Sequence, residues 1–310
     1  MEEKMEIMNL LQNKQILENE LKSLAYGAVE IRENDSNKYI YVHYREDGVS
    51  LTRYVGEYSE ELYNFVLKNS IKAKELKKQI KEINKRLKQL NYIEEELSQD
   101  VELNIDFAKR HLVDTIYKQA ILEGVATTFA DTENIIEGGK VNNMTPEDIL
   151  KIVNLKHAWE FILNKNVILS DTNFALLCEI NKMVEEGFYY SAGRIRNVPV
   201  TIGGTKWKPE LPIESVIKEE LKEIFDKKID DIDRAIELLL YIMKKQIFID
   251  GNKRTSVIYS NHYLISKGKG IIVIPAELTQ EFKDLLIPYY EGKDEEQIKK
   301  FIKEKCYMKI

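Results

Sequence analysis

Apolar residues recur at helical spacing in two stretches of the first hundred positions. The first stretch contains four spaced leucines, Leu10, Leu17, Leu21 and Leu24. The second steps alternately by four and three residues, through Leu76, Ile80, Ile83, Leu87 and Leu90. Alternating steps of this kind are typical of a coiled-coil seam, so we expect two helices that pair along their apolar sides.

Between these two predicted helices the hydrophobic period shortens to two. Residues 39–44 (YIYVHY) and 49–55 (VSLTRYV) have the pattern of two β-strands. The pair Asp47-Gly48 between them is a strong hairpin signal, because glycine tolerates the positive φ of tight hairpin turns. We therefore expect residues 1–100 to form a unit of their own, an antiparallel coiled coil carrying a β-hairpin.

The remaining residues, 101–310, have the pattern of a helical bundle. Helices are predicted near residues 103–127, 146–164, 171–187, 214–226, 230–247, 253–267, 278–290 and 294–306. Residues 198–204 (VPVTIGG) are expected to form a short extended β flap, and residues 270–275 (GIIVIP) a short connector. Only 6 prolines and 14 glycines occur in 310 residues, which favours long helices. The predicted fold class is therefore mostly α.

The charge balance argues against a protein whose whole surface binds nucleic acid. The net charge is -6, which still leaves room for a local basic face. One such run contains Lys72, Lys74, Lys77, Lys78, Lys81, Lys85, Arg86 and Lys88. Beside a Tyr-rich hairpin with Arg45 and Arg53, this run would suit nucleic acid. The interspersed Glu75 and Glu82 instead favour a solvated coiled coil that forms a homodimer.

Targeting signals and cysteines indicate a cytoplasmic protein. The first residues lack a basic segment followed by an apolar run, so no signal peptide is expected. No stretch of about eighteen uncharged apolar residues predicts a membrane span. Cys178 and Cys306 are far apart and without metal-type spacing, which argues against a disulfide framework or a zinc site.

Residues 248–254 (FIDGNKR) connect two predicted helices and open the second one. A helix N-terminus presents free N–H groups and a partial positive charge, and Gly251 lets the backbone approach a ligand closely. Lys253 and Arg254 add positive charge, while Asp250 is placed to hold a magnesium ion shared with phosphates. The same Asp-Gly-Asn sequence is also ordinary turn chemistry, so the loop by itself leaves both interpretations open.

Residues 246–255 (QIFIDGNKRT) resemble the signature of the Fic (Fido) family, H-P-F-x-D/E-G-N-G/K-R. Four further segments are similar to parts of that family in the expected order: residues 134–138 to its inhibitory helix, 152–162 to the helix that follows, 193–204 to its flap, and 282–302 to its closing helices. The resemblance covers roughly residues 105–306, and it implies a Fic-type helical bundle with an N-terminal inhibitory helix region.

Fic proteins typically move AMP from ATP onto a hydroxyl of a target protein. The resemblance therefore implies ATP as substrate or ligand, Mg²⁺, and a hydroxyl-bearing target. By similarity, Asp250 would bind the magnesium ion. Gly251, Asn252 and Lys253 would form the anion cradle, and Arg254 would meet a phosphate.

The resemblance also implies roles outside this cradle. Phe248 would be the core anchor of the nucleotide-binding loop. Thr201 and Ile202 in the flap would pair with the backbone of the target as an added strand. Tyr289 or Tyr290 would lie near the catalytic base.

The first departure from the family pattern concerns the catalytic base. The family's catalytic histidine falls at Gln246, whose amide cannot take a proton at neutral pH. Loss of a general base typically costs about a hundredfold to ten-thousandfold in rate. We therefore expect an adenylyltransferase-like protein of altered or low activity; the alternative is a non-catalytic, nucleotide-binding regulatory protein. The remaining candidates are expected to be packed or surface histidines: His111, His157 and His262.

The second departure concerns regulation. The family's second arginine falls at Val257, so contacts with a γ-phosphate would be weaker. Glu137 falls at the family's inhibitory glutamate, which normally pairs with that second arginine. In this chain Arg254 or Lys253 would be its partner instead. A solvated carboxylate at a helix end is the alternative interpretation of Glu137.

Overall fold

A computed structural model describes the chain except for Met1 and residues 35–36, 47–48, 91, 93–96 and 143. For residues 2–4, 34, 45–46 and 49–51 it describes the backbone alone. The chain divides into two compact units, Met1–Ile93 and Glu94–Ile310. The predicted turn at Asp47 and Gly48 lies outside the described residues.

The first unit contains two helices and a small sheet, in the order α1 (Glu2–Ser23), β1 (Ala28–Asn34), β2 (Asn37–Glu46), β3 (Val49–Glu57) and α2 (Glu60–Gln89). The two helices pack against each other. Ion pairs join Glu6 to Arg86, at 2.6 Å, and Glu20 to Lys72. Because the early residue of α1 meets the late residue of α2, the two helices run antiparallel.

The sheet of the first unit has three antiparallel strands in the order β1-β2-β3. Strands β2 and β3 are the predicted hairpin pair, and β1 is a third strand that the sequence analysis did not predict. The missed strand, β1, pairs with β2 from Ala28 opposite His43 onward. Its alternating Val29 and Ile31 carry the period-two signal, but the strand is short and rich in charge. Ile40 lies in the core of this unit, with no exposed surface.

The second unit is a helical bundle, which confirms the mostly α fold class. Its helices are α3 (Gln99–Arg110), α4 (Leu112–Leu122), α5 (Phe129–Ile136), α6 (Pro146–Ile162), α7 (Lys165–Ile168), α8 (Phe174–Val184), α9 (Glu214–Asp226), α10 (Asp231–Lys245), α11 (Asn252–Ser266), α12 (Thr279–Tyr290) and α13 (Glu295–Phe301). Across the described part of the chain, no helix is both long and apolar enough to cross a bilayer.

Two predicted elements of this unit require correction. The helix expected over residues 103–127 is two helices, α3 and α4, which meet at His111, and it ends at Leu122. The connector expected over residues 270–275 contains a strand, β4 (Ile271–Ile272), that pairs with β5 (Tyr307–Met308) at the C-terminus. The last predicted helix ends as a π turn over Ile302–Cys306 just before β5.

Helix α11 lies at the centre of the second unit. It packs against α10, α8, α6 and α3, and of its residues only Lys253 and Ser266 are not fully buried. Burial around the whole circumference explains why α11 has no clear polar face. The N-terminus of α11 is therefore held in place by the core.

Candidate functional site

The loop between α10 and α11 is bounded by two residues with positive φ. Gln246 ends α10 in the left-handed region (φ 50, ψ 60), and Gly251 precedes α11 with φ 73. A Cβ at Gly251 would lie 3.0 Å from Cδ of Glu185 and would overlap its Oε1. Two features therefore favour glycine there, its backbone conformation and the close approach of Glu185.

Asn252 holds this loop in its conformation. Its Oδ1 accepts from the N–H of Phe248 (3.0 Å), and its Nδ2 donates to the carbonyl of Phe248 (2.9 Å). The same Nδ2 donates to Oε1 of Gln246 (3.2 Å). Phe248 is 1% exposed and anchors the loop in the core. Because the side chain of Asn252 is used within the loop, its backbone N–H remains the group that could meet an anion.

Gln246 presents an amide that is fixed on both sides. Its Nε2 donates to the carbonyl of Met243 (2.6 Å), while its Oε1 accepts from Asn252. A carbonyl can only accept, so the nitrogen of the amide must face Met243. This arrangement leaves no proton acceptor with a useful pKa at position 246.

Two histidines of the second unit, His111 and His262, make hydrogen-bonding contacts elsewhere, and His157 is exposed on α6. His262 is fully buried, with Nδ1 2.9 Å from Oγ1 of Thr172 and Nε2 2.9 Å from the carbonyl of Val167. Burial lowers the pKa of His262 to about 4. Nδ1 of His111 lies 2.9 Å from the carbonyl of Phe107. None of the hydrogen bonds within the described residues joins a histidine to Gln246.

Arg196 organises the flap, a role that the sequence did not indicate. Its side chain is 2% exposed, and it donates to the carbonyls of Gln246 (2.6 Å), Val198 (2.8 Å) and Glu210 (2.6 Å). The flap segment that it holds, residues 198–204, contains neither helix nor strand. One buried guanidinium thus couples the start of the loop between α10 and α11 to Val198, at the start of the flap, and to Glu210, beyond the end of the flap.

Within the flap, Thr201 is exposed and Ile202 is half-buried. Their backbone groups take part in no sheet among the described strands. An irregular, exposed segment of this kind can accept an added strand without first breaking existing pairs.

Three carboxylates surround the guanidinium of Arg254, which is 3% exposed. Its Nη2 lies 2.7 Å from Oε1 of Glu185 and 3.6 Å from Oδ2 of Asp250, and its Nε lies 3.6 Å from Oε2 of Glu123. Lys253 shares Glu123, with Nζ 3.3 Å from Oε1. The sequence analysis did not predict Glu123 and Glu185 as site residues, because only the packing of α4 and of the end of α8 brings them to α11.

Several buried atoms of this cluster lack hydrogen bonds. Neither oxygen of Glu185, nor Oε1 of Glu123, nor Nε and Nη1 of Arg254 makes one within the described part of the chain. Burial is the main reason that the pKa of Glu185 rises to about 7; Asp250 and Glu123 raise this pKa further, and Arg254 lowers it. Buried polar groups are normally paired, so such a concentration of unpaired atoms marks a place for a polar ligand.

The backbone at Arg254 is fixed by a buried relay from two other helices. Nε1 of Trp159 donates to Oε1 of Gln119 (2.9 Å), and Nε2 of Gln119 donates to the carbonyl of Arg254 (2.8 Å). Trp159 is 1% exposed and Gln119 3%. The first turn of α11 is therefore rigid before any ligand arrives.

Asp250 is the member of the cluster that reaches solvent, with its side chain 53% exposed. Its Oδ1 accepts from the N–H of Gly251 (2.7 Å), and its carbonyl accepts from Nδ2 of Asn181 (3.1 Å). No group of three or more His, Cys, Asp or Glu side chains in the described ranges could hold a metal ion by itself. One exposed carboxylate suits Mg²⁺, which usually binds through one or two carboxylates together with substrate phosphates.

Glu137 does not have the predicted ion pair. It is exposed at the C-terminal end of α5, and the carboxylates on Arg254 and Lys253 are those of Glu123, Glu185 and Asp250. The expected pairing of Glu137 with either cation is therefore wrong for this conformation. The reason is geometric, since nearer carboxylates on other elements already neutralise both cations.

Three further predicted positions lie in the core. Val257 is 2% exposed on α11, and a side chain buried there contributes packing. Tyr289 and Tyr290 are 8% and 3% exposed, and burial raises the pKa of both phenols above the usual value. The carbonyl of Tyr289 accepts from Nζ of Lys244 (3.0 Å), so this end of α12 is tied to α10.

Comparison with known proteins agrees with the motif. Residues 171–264 match the sequence model of the Fic/DOC family. That segment contains α8, the flap, α9, α10, the loop between α10 and α11, and nearly all of α11. No curated protein matches the chain. The resemblance predicted from the motif is therefore confirmed for residues 171–264.

Solved structures share the fold. Fic-1 from C. elegans is similar at a TM-score of 0.53 and 16% identity, over 78% of this chain and 79% of that one. A Fic domain containing signaling protein from Bacteroides thetaiotaomicron has a TM-score of 0.51 at 19% identity, over 61% and 75% of the two chains. A Fic family protein from Desulfovibrio desulfuricans G20 has a TM-score of 0.51 at 12% identity, over 68% and 73%. At these identities the similarity is one of fold.

Proposed function

We propose that the second unit is a Fic-type domain that binds the phosphates of ATP and transfers AMP slowly to a hydroxyl of a target protein. The observation that carries this proposal is the position of the buried Arg254 at the N-terminus of α11, within a segment that matches the Fic/DOC family. A fixed helix N-terminus with a buried guanidinium is suited to phosphate oxygens.

The groups of the loop would divide the binding between them. The first turn of α11 offers N–H groups without intrahelical partners. Because Gly251 has no Cβ, a phosphate could come close to these N–H groups. Lys253 and Arg254 supply positive charge. Asp250 would hold Mg²⁺, which would neutralise negative charge on the phosphate oxygens.

The slow rate follows from the chemistry of the transfer. The hydroxyl oxygen of the target forms a bond to the α-phosphorus, the bond between the α-phosphorus and its bridging oxygen to the β-phosphate breaks, and pyrophosphate leaves. The amide of Gln246 cannot take the proton of the hydroxyl, so this proton passes to solvent water. Binding and orientation by the other residues remain, so the reaction continues at a rate lowered about a hundredfold to ten-thousandfold.

A non-catalytic nucleotide-binding protein is the second candidate. The fixed amide of Gln246 favours it, because both polar atoms of that side chain are used by Met243 and Asn252. In this version the nucleotide acts as a ligand that stabilises one state of the domain for a partner. The two candidates share the binding step and differ only in whether AMP reaches a target.

For the partners, we propose that the flap receives the target. Thr201 and Ile202 would pair with an extended backbone of the target protein. For the first unit we favour a homodimer formed through its helices over a nucleic-acid complex. In support, two members of the basic run, Lys72 and Arg86, already pair with acidic residues of α1.

Calorimetry with ATP and Mg²⁺ tests the binding step in the full-length chain. We expect saturable binding that weakens about tenfold or more in Asp250→Asn, because the carboxylate charge that holds the metal is lost. Asp294→Asn is the matched control, since Asp294 is an exposed aspartate of the same unit outside the loop, and it should leave affinity unchanged. If ATP, ADP and AMP all fail to bind to the wild type and to Glu137→Gly, both candidates are wrong.

A further inference from the structure

We propose that the carboxylate of Glu185 occupies the phosphate position on Arg254, and that a nucleotide binds only by displacing it. Glu185 thereby sets the affinity of this site for phosphates. This inference rests on the proposed function, because it concerns how nucleotide binding at the same site is regulated. It concerns a residue at the end of α8, separate from the Glu137 region.

The position of Glu185 is the first argument. It follows directly after α8, and its Oε1 lies 2.7 Å from Nη2 of Arg254. The same oxygen fills the space next to Gly251 that a Cβ would take. The glycine that would let a phosphate approach the start of α11 therefore faces a carboxylate, which is itself an anion of similar hydrogen-bonding chemistry.

The second argument is that this ion pair does not look like a permanent structural one. Buried pairs that stabilise a fold normally have their remaining lone pairs and protons satisfied by hydrogen bonds. Glu185 is 2% exposed and neither of its oxygens makes a hydrogen bond within the described residues. Nε and Nη1 of Arg254 are also without one in that part of the chain. An ion pair whose other buried atoms are unsatisfied is easier to exchange for a ligand that can satisfy these donors.

The third argument is the charge balance at the site. Two cations, Lys253 and Arg254, face three carboxylates, those of Glu123, Glu185 and Asp250. With all five ionised the sum is two positive and three negative charges, a net charge of -1. A phosphate adds further negative charge to a buried cluster, where screening is weak. Mg²⁺ would balance Asp250 and the phosphate, but Arg254 becomes available only when Glu185 leaves it.

Removal of the charge on Glu185 should therefore strengthen nucleotide binding. The experiment is calorimetric titration of the full-length chain with ADP and Mg²⁺, since ADP keeps a β-phosphate that could contact Arg254. We expect Glu185→Gln to bind ADP at least about tenfold more tightly than the wild type. Arg254→Ala should weaken binding in both backgrounds.

Glu179→Gln is the matched control. Glu179 lies on α8, is 4% exposed and has a raised pKa due to burial, but its cation is Lys182 at 3.2 Å. Neutralising Glu179 removes the same charge from a nearby position on α8 without touching Arg254. Its affinity for ADP should equal that of the wild type; tighter binding in this control as well would mean a general charge effect and would overturn the inference.

The other outcomes separate this inference from the proposed function. If the wild type and Glu185→Gln bind ADP with equal affinity, Glu185 does not control the site. The proposed function would still stand. If neither the wild type nor any variant binds ADP, the proposed function fails, and the inference with it. If Arg254→Ala binds as tightly as the wild type, phosphates do not use Arg254 and the inference is wrong.

A second measurement covers the case in which Glu185→Gln does not fold. A crystal structure of the wild type soaked with ADP and Mg²⁺ reports the separation of Glu185 and Arg254 directly. We expect Oε1 of Glu185 to move from 2.7 Å to beyond about 4 Å from Nη2, with a phosphate oxygen in its place. A bound ADP with this ion pair still intact contradicts the inference.

Discussion

Nδ2 of Asn252 donates a hydrogen bond of 3.2 Å to Oε1 of Gln246 and so ties the start of the loop between α10 and α11 to the start of α11. The same amide group also donates to the carbonyl of Phe248. Gln246 is thereby held in the left-handed conformation, with its side chain directed by the loop rather than by solvent. Under the proposed function, phosphate binding and proton removal are therefore separable, because position 246 is unsuited to proton removal.

The close approach of Gly251 to Glu185 predicts a specific stability effect. Gly251→Ala should destabilise the second unit by the cost of an alanine at positive φ, about 1 kcal/mol, plus the cost of moving Glu185, roughly 1–3 kcal/mol. Gly292→Ala is the control, because Gly292 has φ +78 and open space where a Cβ would lie. Urea unfolding of both variants measures the difference; equal losses of stability would show that Glu185 yields without cost.

The buried ion pair predicts strong coupling between Arg254 and Glu185. Arg254→Ala leaves Glu185 and Glu123 without their shared cation, and breaking a buried pair in this way costs roughly 3–5 kcal/mol of unfolding free energy. Glu185→Gln in the same chain should recover part of that loss, because an uncharged amide needs no cation. A double-mutant cycle measures the coupling, and additive losses would contradict it.

The raised pKa of Glu185 predicts a pH dependence with a definite sign. Folding raises this pKa from 4.5 to about 7, so the folded state holds the proton more tightly than the unfolded state. The corresponding stability is fully present below pH 4.5 and is lost as the pH rises through about 7. Relative to Glu185→Gln, the wild type should therefore lose up to about 3 kcal/mol between pH 4.5 and pH 8. A difference that grows in the opposite direction would contradict this.

The hydrogen bonds of Arg196 predict that the flap is structurally coupled to the loop between α10 and α11. Arg196→Lys keeps the charge but loses the planar fork that reaches the carbonyls of Gln246, Val198 and Glu210. Each carbonyl left unpaired costs about 1–3 kcal/mol, so amide hydrogen exchange in residues 198–210 should become faster. Arg194→Lys, at an exposed position two residues away, is the matched control and should leave exchange in this segment unchanged.

Local patterns in the sequence were enough to predict most of the helices and the loop between α10 and α11. The apolar face of α10 and the glycine at 251 indicated two helices joined by a tight turn, and the structure has them at Asp231–Lys245 and Asn252–Ser266. The break between α3 and α4 was missed because it falls at His111, where no proline or glycine signals it. Strand β1 was missed because its few apolar residues stand among charged ones.

The electrostatic partners in the site could not be read from the sequence. Glu123 and Glu185 approach Arg254 from the ends of two other helices, and only the packing of those helices on α11 decides that distance. Motif similarity placed Glu137 next to the phosphates, but an isolated motif says nothing about carboxylates elsewhere that compete for the same cation. Asn252 was expected to bind the anion, whereas its side chain is used to hold Phe248 and Gln246.

The separation of binding from proton removal is tested most directly by transfer of labelled AMP from ATP, with Mg²⁺, to the protein itself and to cell lysate. The wild type should label weakly, and Gln246→His should label about a hundredfold to ten-thousandfold faster, because an imidazole can accept the proton of the hydroxyl. Both proteins should bind ATP with similar affinity. A Gln246→His variant that binds ATP and yet labels no faster than the wild type would contradict the account.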